Sequence, residues 1–233
     1  MRLAVVIPTL NEVQALPLLL ADLGVLDRLV PVDIVVADGG STDGTVACAL
    51  SNGARAVQAP RGRARQLNAG ARAACGEWLL FLHADSRVPP DARRSLHSTL
   101  SEPARFGAAV FRFAIDLTPG WKHAVERGQA VREALLGLPY GDQGLLVRRE
   151  LFDAIGGYPD LPLMEDVAII RALRRRTRVE RLPAAITTSG RRYRDSGVLR
   201  TALKHTALIS LYFLGVSPVR LARWRNGDPA APA

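Results

Sequence analysis

The sequence predicts an α/β fold in which a mostly parallel central sheet is flanked by helices. Apolar runs at 3–7, 32–36 and 78–82 have the length and the Val, Ile and Leu content of strands buried on both faces. Helix-like segments separate these runs, as in parallel βαβ units, and each run ends in a polar turn. Ligands bind beyond the carboxyl ends of the strands in such sheets, so the three turns predict one shared binding edge.

The first helices follow from the turns that precede them. The leucine-rich segment 16–20 is predicted to be helical, and after the second strand either Thr42 or Asp43 can cap the next helix. Gly39 permits a close backbone approach at that turn. Segment 61–70 carries three arginines where the pattern indicates a helix start, and cations with backbone N–H groups at a helix start favour an anion.

The second half of the chain continues with elements predicted from the same periodicities. Pro89 and Pro90 mark the start of a helix, and Trp121, Val125 and Leu135 are candidate core contacts of the next one. The predicted elements are a helix at 89–100, a strand at 108–115, a helix at 120–137, a strand at 143–147 and a helix at 165–176.

Length and composition predict one folded domain. The chain has 233 residues, of which 48% are hydrophobic, and no repeat or long linker precedes a short Pro/Ala tail at 227–233. Cys48 and Cys75 lie in alanine-rich segments without metal-ligand spacing, which predicts buried free thiols in a reducing compartment. The start of the chain lacks the charged and apolar regions of a secretory signal, so we expect a cytoplasmic protein.

The net charge of +9 does not lead us to predict nucleic-acid binding. The arginines form helix-like faces instead of one motif, and the aromatic residues, at 6% of the chain, are not interleaved with them for base stacking. We interpret the basicity as solvated surface together with a site for an anionic small molecule.

The basic segment 198–225 is predicted to be a C-terminal helix that packs on the domain. Its longest apolar stretch, 207–216, is well short of the roughly 20 residues that span a bilayer. The mixture of apolar residues and arginines also suits an anionic membrane surface, so peripheral contact with a membrane is an alternative.

Three motifs stand at the ends of the predicted strands. They read Val-Ile-Pro-Thr-Leu-Asn-Glu at 6–12, Ala-Asp-Gly-Gly-Ser-Thr-Asp-Gly-Thr at 37–45 and Leu-His-Ala-Asp at 82–85. In this order they resemble the nucleotide-sugar half of a family 2 glycosyltransferase, whose fold is called GT-A. Segments that resemble the acceptor side of the family follow at 140–144, 152–158 and 164–167.

The resemblance covers roughly 3–190 and implies a single GT-A domain at 1–226. The implied parts are a nucleotide-sugar half at about 1–87, an acceptor half at about 88–190, and a basic amphipathic helix at about 197–225. Within this family, the residues at 62–70, 81–85 and 139–144 are similar to those of a bacterial subgroup associated by name with arsenosugar biosynthesis.

The resemblance implies a site for the nucleotide sugar at the ends of the first strands. In many relatives a basic residue immediately precedes the position of Asn68, but this chain has Leu67 there. Arg63 and Arg65, earlier on the same predicted helix, are therefore the candidates to replace that basic residue. The alternative for both arginines is a solvated helix surface. The residues implied in nucleotide-sugar binding are Pro8, Thr9, Asn11, Glu12, Asp38, Gly39, Arg63, Arg65, Asn68, His83, Ala84 and Asp85.

Asp85 is the metal ligand that the resemblance implies. It would bind a Mg²⁺ or Mn²⁺ ion that bridges the diphosphate, since hard cations prefer carboxylate and phosphate oxygens. His83 stands where the family commonly has an Asp. Its imidazole either reaches a ribose hydroxyl or belongs to an ordinary histidine at a strand end.

Asp166 is the general base that the resemblance implies, in a Glu-Asp pair at the start of a predicted helix. One base opposite the leaving group implies in-line displacement with inversion at the anomeric carbon. Asp142, Gln143 and Glu165 are implied in binding the acceptor or the donor sugar. Without the other motifs, the pair would be an acidic helix start favoured by the macrodipole.

Two other functions fit parts of the sequence. A nucleotidyltransferase that makes nucleotide sugars shares the strand-and-cleft arrangement, but it opens with a glycine-rich phosphate loop, and 8–12 contains no glycine. An inactive protein that binds nucleotide sugars or a membrane surface would fit His83 and the basic C-terminal segment. We predict an enzyme that moves a sugar from a nucleoside-diphosphate sugar to an acceptor hydroxyl with the help of a metal.

Overall fold

The computed structural model describes residues 2–102, 106–136 and 143–226, with side chains through 131 in the second range. Eight strands and ten helices fall within these ranges. In chain order they are β1 (Leu3–Thr9), α1 (Leu16–Asp27), β2 (Val32–Asp38), α2 (Thr45–Ser51), β3 (Arg55–Gln58), α3 (Arg63–Ala73), β4 (Trp78–Phe81), β5 (Ser86–Arg87), α4 (Pro90–Ser101), β6 (Ala108–Asp116), α5 (Pro119–Leu136), β7 (Leu145–Arg148), α6 (Arg149–Ala154), α7 (Glu165–Arg174), β8 (Val179–Ser189), α8 (Arg191–Ser196), α9 (Val198–Phe213) and α10 (Pro218–Asn226).

The eight described strands form one sheet in the order β3-β2-β1-β4-β7-β6-β8-β5. The first four pair in parallel, as the βαβ pattern predicts. β7 runs antiparallel to β4 and β6, β8 pairs in parallel with β6, and β5 lies antiparallel to β8 at the edge. The predicted α/β fold class is confirmed, with the parallel pairing concentrated in the first half of the chain.

Helices cover both faces of the sheet, which explains why β1 is apolar from Leu3 to Ile7. Leu3, Val5 and Ile7 pack in a core cluster with residues of α1 and α4, while Ala4 and Val6 pack in a second cluster with α3 and α7. Alternate side chains of a strand point to opposite faces. Successive residues from Leu3 to Ile7 therefore meet different helical layers, and both faces of the strand are apolar there.

β8 is an element that the sequence pattern did not predict. Pro183 interrupts its strand pattern, and the register of β6 against β8 shifts between Val110 and Arg112, which pair with Arg181 and Ala185. The proline therefore lies inside an irregularity of the ladder, where the missing N–H is tolerated. β8 extends the sheet beside β6 and brings its carboxyl end to the binding edge.

The basic C-terminal segment forms two helices, so the prediction of a single helix is wrong. α9 ends at Phe213, and α10 begins at Pro218, which cannot extend a preceding helix. Leu208, Ile209 and Leu221 pack both helices into the second core cluster. Within the described ranges, every helix is too short or too polar to cross a bilayer.

Two predictions of burial are also wrong. Trp121 is 44% exposed because it faces a groove between α5 and α9 instead of the core. Both cysteines are free thiols, as predicted, but neither is buried. Cys75 is exposed because it follows the end of α3, and Cys48 is half-buried. Val125 is half-buried, and the side chain of Leu135 lies outside the described residues.

Candidate functional site

The turn after β2 is built around Asp38, which is 4% exposed. Its Oδ1 accepts hydrogen bonds from the hydroxyls of Thr9, at 3.0 Å, and Ser41, and its Oδ2 accepts from the N–H groups of Gly40 at 2.9 Å and Ser41 at 2.8 Å. Burial raises the pKa of Asp38, but the hydrogen bonds outweigh burial and hold that pKa below its ordinary value. A nucleoside that contacts Asp38 directly would have to replace one of these donors.

The turns after β1 and β2 are joined by polar contacts. The N–H of Asn11 donates to Ser41 Oγ at 2.8 Å, and Asn11 Oδ1 accepts from the N–H of Thr42 at 2.9 Å. Asn11 has a φ of 56°, in the left-handed region that Asn tolerates better than most residues. The prediction that Thr42 or Asp43 is the N-cap of α2 is wrong, because Gly44 occupies that position with a φ of 91°. Asp43 Oδ1 still accepts the N–H of Thr45, the first residue of α2, at 3.0 Å.

Gln66 of α3 connects the two strand ends, a role that was not predicted. Its Nε2 donates to the carbonyls of Thr9 at 2.7 Å and Ala37 at 2.9 Å. A Cβ atom at Gly39 would lie 3.0 Å from Gln66 Cδ, so the glycine permits this close packing. The signal in the sequence is a single glutamine among the arginines and alanines of the helix start.

Glu12 links the β1 turn to the C-terminal part of the chain. Arg191 Nη2 lies 3.3 Å from both carboxylate oxygens of Glu12. Burial raises the pKa of Glu12, and the positive charge of Arg191 lowers it. The negative charge of Asp85 also raises that pKa, so it lies above its ordinary value. The ends of β1 and β4 therefore present carboxylates that interact with each other.

A cavity of about 190 Å³ lies where the turn after β4 and the end of β8 meet α7 and the C-terminal helices. Asp85 and Asp166 both line it, together with the guanidinium groups of Arg63, Arg192 and Arg225. Two predicted carboxylates, distant in sequence, thus share one cavity with three cations. The other lining residues are His83, Leu163, Met164, Thr188, Ser189, Tyr193, His205, Leu208 and Ile209.

Asp85 stands between this cavity and a larger one of about 770 Å³ beside α1. Thr188 and Ser189 of β8 also line both cavities. Next to Asp85, Ala84 is buried, and Pro8 is half-buried at the end of β1. The turn after β4 and the end of β8 therefore contribute residues to both cavities.

Arg63 connects α3 to the start of α7. Its Nε contacts Glu165 Oε1, and its Nη2 lies 3.7 Å from Asp166 Oδ2. Burial lowers the pKa of Arg63, but the charges of Glu165 and Asp166 raise it above its ordinary value. The Glu165 side chain is 2% exposed and does not line the cavity. Its carboxylate instead pairs with the Arg63 guanidinium and balances its charge.

His83 is neutral at pH 7. Burial lowers the pKa of its imidazole to about 3, and the positive charges of Arg63 and Arg192 act in the same direction, against the charge of Asp166. A neutral imidazole can donate and accept hydrogen bonds but adds no charge. The positive charge that faces an anionic ligand here comes from arginine.

Arg65 and Asn68 point away from the cavity. Arg65 Nε pairs with Asp160 at 2.9 Å, and both side chains are more than half exposed. Two steps along a helix turn the side chain by about 200°, so Arg63 and Arg65 cannot face the same cavity. Asn68 instead holds the main chain of Tyr158, donating to its carbonyl at 2.7 Å and accepting from its N–H at 2.9 Å.

We expect Asn68→Ala to lower the free energy of unfolding by about 1–3 kcal/mol, because both polar groups of the Tyr158 main chain lose their partner. Gly157 crowds the same contact, since a Cβ there would lie 2.6 Å from Asn68 Oδ1. Urea unfolding measures the change. Arg65→Ala, from the same helix, is the control and should change stability by less than about 1 kcal/mol. Equal losses in the two variants would contradict a specific role for Asn68.

The start of α7 carries backbone strain. Met164, which precedes the helix, has a φ of 67° and a buried side chain. A residue other than glycine in this region stores of order 1–3 kcal/mol, which persists only where the surrounding packing imposes it. Asp166 Oδ1 accepts the N–H of Val167 at 2.8 Å. The packing of Met164 and this contact together hold Asp166 at the cavity.

Gln143, another predicted sugar-binding residue, does not line the described cavity. It lies just before β7 and is fully buried. Asp142 lies outside the described residues.

The sequence model of glycosyl transferase family 2 matches residues 4–158. The chain belongs to this family. The match includes all three strand-end motifs of this family 2 protein and ends before Glu165 and Asp166. No curated protein sequence matches the chain.

Solved structures of other proteins share the fold. TarS 1-349 of S. aureus superposes with a TM-score of 0.65 and 16% identity, covering 82% of this chain and 61% of that one. The mannosyltransferase PcManGT of Pyrobaculum calidifontis, in complex with GDP-Man and Mn²⁺, superposes with a TM-score of 0.60 and 22% identity. The match covers 81% of this chain and 56% of that one. The glucosyl-3-phosphoglycerate synthase of Mycobacterium tuberculosis, in complex with Mn²⁺, UDP and phosphoglyceric acid, superposes with a TM-score of 0.58 and 18% identity. The match covers 81% of this chain and 69% of that one. This family 2 protein thus spans less than two thirds of the first two structures.

Proposed function

We propose that this family 2 protein moves a sugar from a nucleoside-diphosphate sugar to an acceptor hydroxyl, with inversion at the anomeric carbon. The observation that carries the proposal is the shared cavity of Asp85, from the turn after β4, and Asp166, from the start of α7. Such a transfer needs one group near the departing diphosphate and another at the acceptor. The family match and the fold of the neighbours support this assignment.

The donor is proposed to lie with its nucleoside against the turns after β1 and β2 and its diphosphate toward the cavity. The cations that line this cavity are Arg63, Arg192 and Arg225. The structures of S. aureus TarS with UDP-GlcNAc and of PcManGT with GDP-Man contain different nucleotides, so both belong in a donor screen. The proposed nucleoside contacts are Pro8, Thr9, Asn11, Glu12, Asp38 and Gly39.

A Mg²⁺ or Mn²⁺ ion fits the donor side of the cavity. Asp85 offers the carboxylate oxygens that these ions prefer. The described residues include no cluster of three or more His, Cys, Asp or Glu side chains able to hold a metal, so the donor phosphates and water would complete the coordination. When bound, the ion would supply positive charge to the leaving diphosphate.

Asp166 is the proposed general base. The acceptor hydroxyl passes its proton to the Asp166 carboxylate as its oxygen bonds to the anomeric carbon. On the opposite face of the sugar, the bond from that carbon to the diphosphate oxygen breaks, and the nucleoside diphosphate leaves with the electron pair. The contacts of Asp166 with Arg63 and with the N–H of Val167 keep the carboxylate in position for this transfer.

The acceptor and the cellular location are further parts of the proposal. The resemblance to the arsenosugar subgroup makes an arsenosugar precursor one acceptor to test. We also propose a cytoplasmic protein that touches the inner membrane face through α9 and α10. Exposed Leu199, Leu203 and Trp224 support such contact, because they lie on the same two helices as exposed Arg200 and Arg220.

The proposed function predicts a specific response to donors. A panel of UDP-, GDP- and dTDP-sugars with Mn²⁺ should include one that stabilises the protein by about 2.7 kcal/mol at about 100 times its Kd. In a chain of this size, that gain raises Tm by roughly 5–10 °C. Slow hydrolysis of the same donor should accompany it, and Asp85→Asn should remove the part of the shift that depends on Mn²⁺. No response to any donor would contradict the proposed function.

A further inference from the structure

A second cavity, of about 420 Å³, adjoins the candidate site between α8, α9 and α10. We call it the basic cavity. Arg192, His205, Leu208 and Arg225 line both this cavity and the one that contains Asp166, so the two are neighbours. A small ligand in the basic cavity therefore lies beside the proposed acceptor position. Its full lining is Arg192, Ser196, Arg200, Thr201, Lys204, His205, Leu208 and Arg225.

The basic cavity concentrates positive charge. Four of its side chains are arginine or lysine, and no described carboxylate lines it. Burial lowers the pKa of Arg225, and the nearby charges of Arg63 and Arg192 lower it further, against Glu165. Among the residues that the structure describes, Lys204 Nζ donates one hydrogen bond, to the carbonyl of Arg225 at 2.8 Å, and an ammonium group has three donors. An anion would relieve this crowding of like charges.

Thr201 is a second, independent sign of a ligand. Its side chain lines the basic cavity from the first turn of α9 and is 7% exposed. Its hydroxyl forms no hydrogen bond within the described part of the chain. Buried polar groups without a partner are rare because they lose their hydration without compensation. The hydroxyl oxygen is enclosed, so an oxygen of a bound ligand would satisfy it once the side chain rotates toward the cavity.

We propose that the acceptor is a phosphate monoester, with its phosphoryl group in the basic cavity and its reacting hydroxyl at Asp166. Arginine presents a planar set of donors that matches phosphate oxygens, and several cations suit a dianion. The volume lies within the range of small-molecule sites. The assignment of the hydroxyl rests on the proposed function, whereas phosphate binding can be measured by itself.

Binding of phosphates to the full chain tests the proposal. The probes are inorganic phosphate and glycerol 3-phosphate, with glycerol and sodium chloride at equal ionic strength as controls. Titration calorimetry follows binding with and without a saturating nucleoside diphosphate. We expect both phosphates to bind in its presence, because Arg200, Thr201 and Lys204 line the basic cavity and do not line the cavity proposed for the donor diphosphate. Complete loss of binding under saturation would overturn the proposal, since the phosphates would then occupy the donor site.

Two substitutions localise the binding. Arg200→Gln should weaken glycerol 3-phosphate binding about tenfold, because a charge-assisted hydrogen bond is lost. Thr201→Val should weaken it roughly threefold without lowering Tm, because the hydroxyl has no partner in the described protein. Arg94→Gln, exposed on α4, is the control and should leave binding unchanged. Equal effects of Arg200→Gln and Arg94→Gln would mean that net charge alone attracts phosphate, which overturns the proposal.

Vesicles distinguish a lipid phosphate from a soluble one. The protein is sedimented with phosphatidylcholine vesicles that contain phosphatidic acid. A lipid acceptor is supported if the protein sediments with them and if Arg200→Gln and excess glycerol 3-phosphate both reduce the sedimented fraction. Binding of glycerol 3-phosphate without sedimentation supports a soluble acceptor. If neither binds in a protein that responds to nucleotide sugars, this proposal is overturned and the proposed function stands. Intact phosphate binding without a response to nucleotide sugars supports the basic cavity and overturns the proposed function.

Discussion

Replacing Asp166 with Asn is expected to lower turnover roughly a hundredfold to ten-thousandfold, the usual contribution of a general base. Asn keeps the size of the side chain and an oxygen for the N–H of Val167, which donates to Oδ1 at 2.8 Å. Its amide cannot take the proton of the acceptor hydroxyl. Because the lost interaction belongs to the transition state on the acceptor side, donor affinity should stay nearly constant. Steady-state kcat and the donor-induced shift in Tm measure the two effects separately.

Asp160→Asn is the matched control for this experiment. Asp160 undergoes the same chemical change, but its carboxylate is 61% exposed and pairs with Arg65 outside the cavity. We expect its turnover and donor affinity to match the unchanged protein. The role of Asp166 would be wrong if its variant bound donor more weakly in proportion to its loss of rate. It would also be wrong if the two variants had the same turnover.

The position of the candidate site could be predicted because it depends on the ends of buried strands. β1, β2 and β4 are adjacent and parallel, so the turns at their carboxyl ends must meet at one edge. The apolar runs determine which residues are buried, and the polar residues that follow them are left at the edge. Asp38 and Asp85 therefore lie where the strand pattern predicts.

The direction of each side chain could not be predicted in the same way. Arg63 and Arg65 are two residues apart, and Glu165 and Asp166 are adjacent, yet in each pair one member lines the cavity and the other does not. A helix turns by about 100° per residue, so its rotation about its own axis decides which side chain faces inward. That rotation is set by packing against the sheet, through contacts that no local pattern contains.

The partners of several residues are also distant along the chain. Glu12 meets Arg191, and Gln66 joins the ends of two strands. The basic cavity depends on the turn between α9 and α10, which brings Arg225 back to Lys204. The sequence indicates a basic segment there, but a continuous helix would have held these two side chains far apart.

Arg63→Met is expected to lower the free energy of unfolding by about 3 kcal/mol. Glu165 is 2% exposed, and loss of its partner would leave a buried charge without compensation, which typically destabilises by about 3–5 kcal/mol. The lower end of that range applies because Arg63 is 34% exposed, so solvent already reaches part of the pair. Methionine retains much of the length of the side chain, which limits any cavity. Urea unfolding of the full chain measures the change.

The double variant Arg63→Met/Glu165→Leu separates the loss of the ion pair from the loss of packing. Replacing both members of a buried pair with apolar residues is often neutral or stabilising, so we expect it to recover most of the stability lost in Arg63→Met. Arg65→Met is the matched control on the same helix, because it removes an exposed pair worth at most about 1 kcal/mol. If Arg63→Met and Arg65→Met lost equal stability, the Arg63 pair would be no stronger than a surface contact. If the double variant recovered nothing, packing of the arginine stem, instead of its charge, would hold α7 and Asp166 against α3.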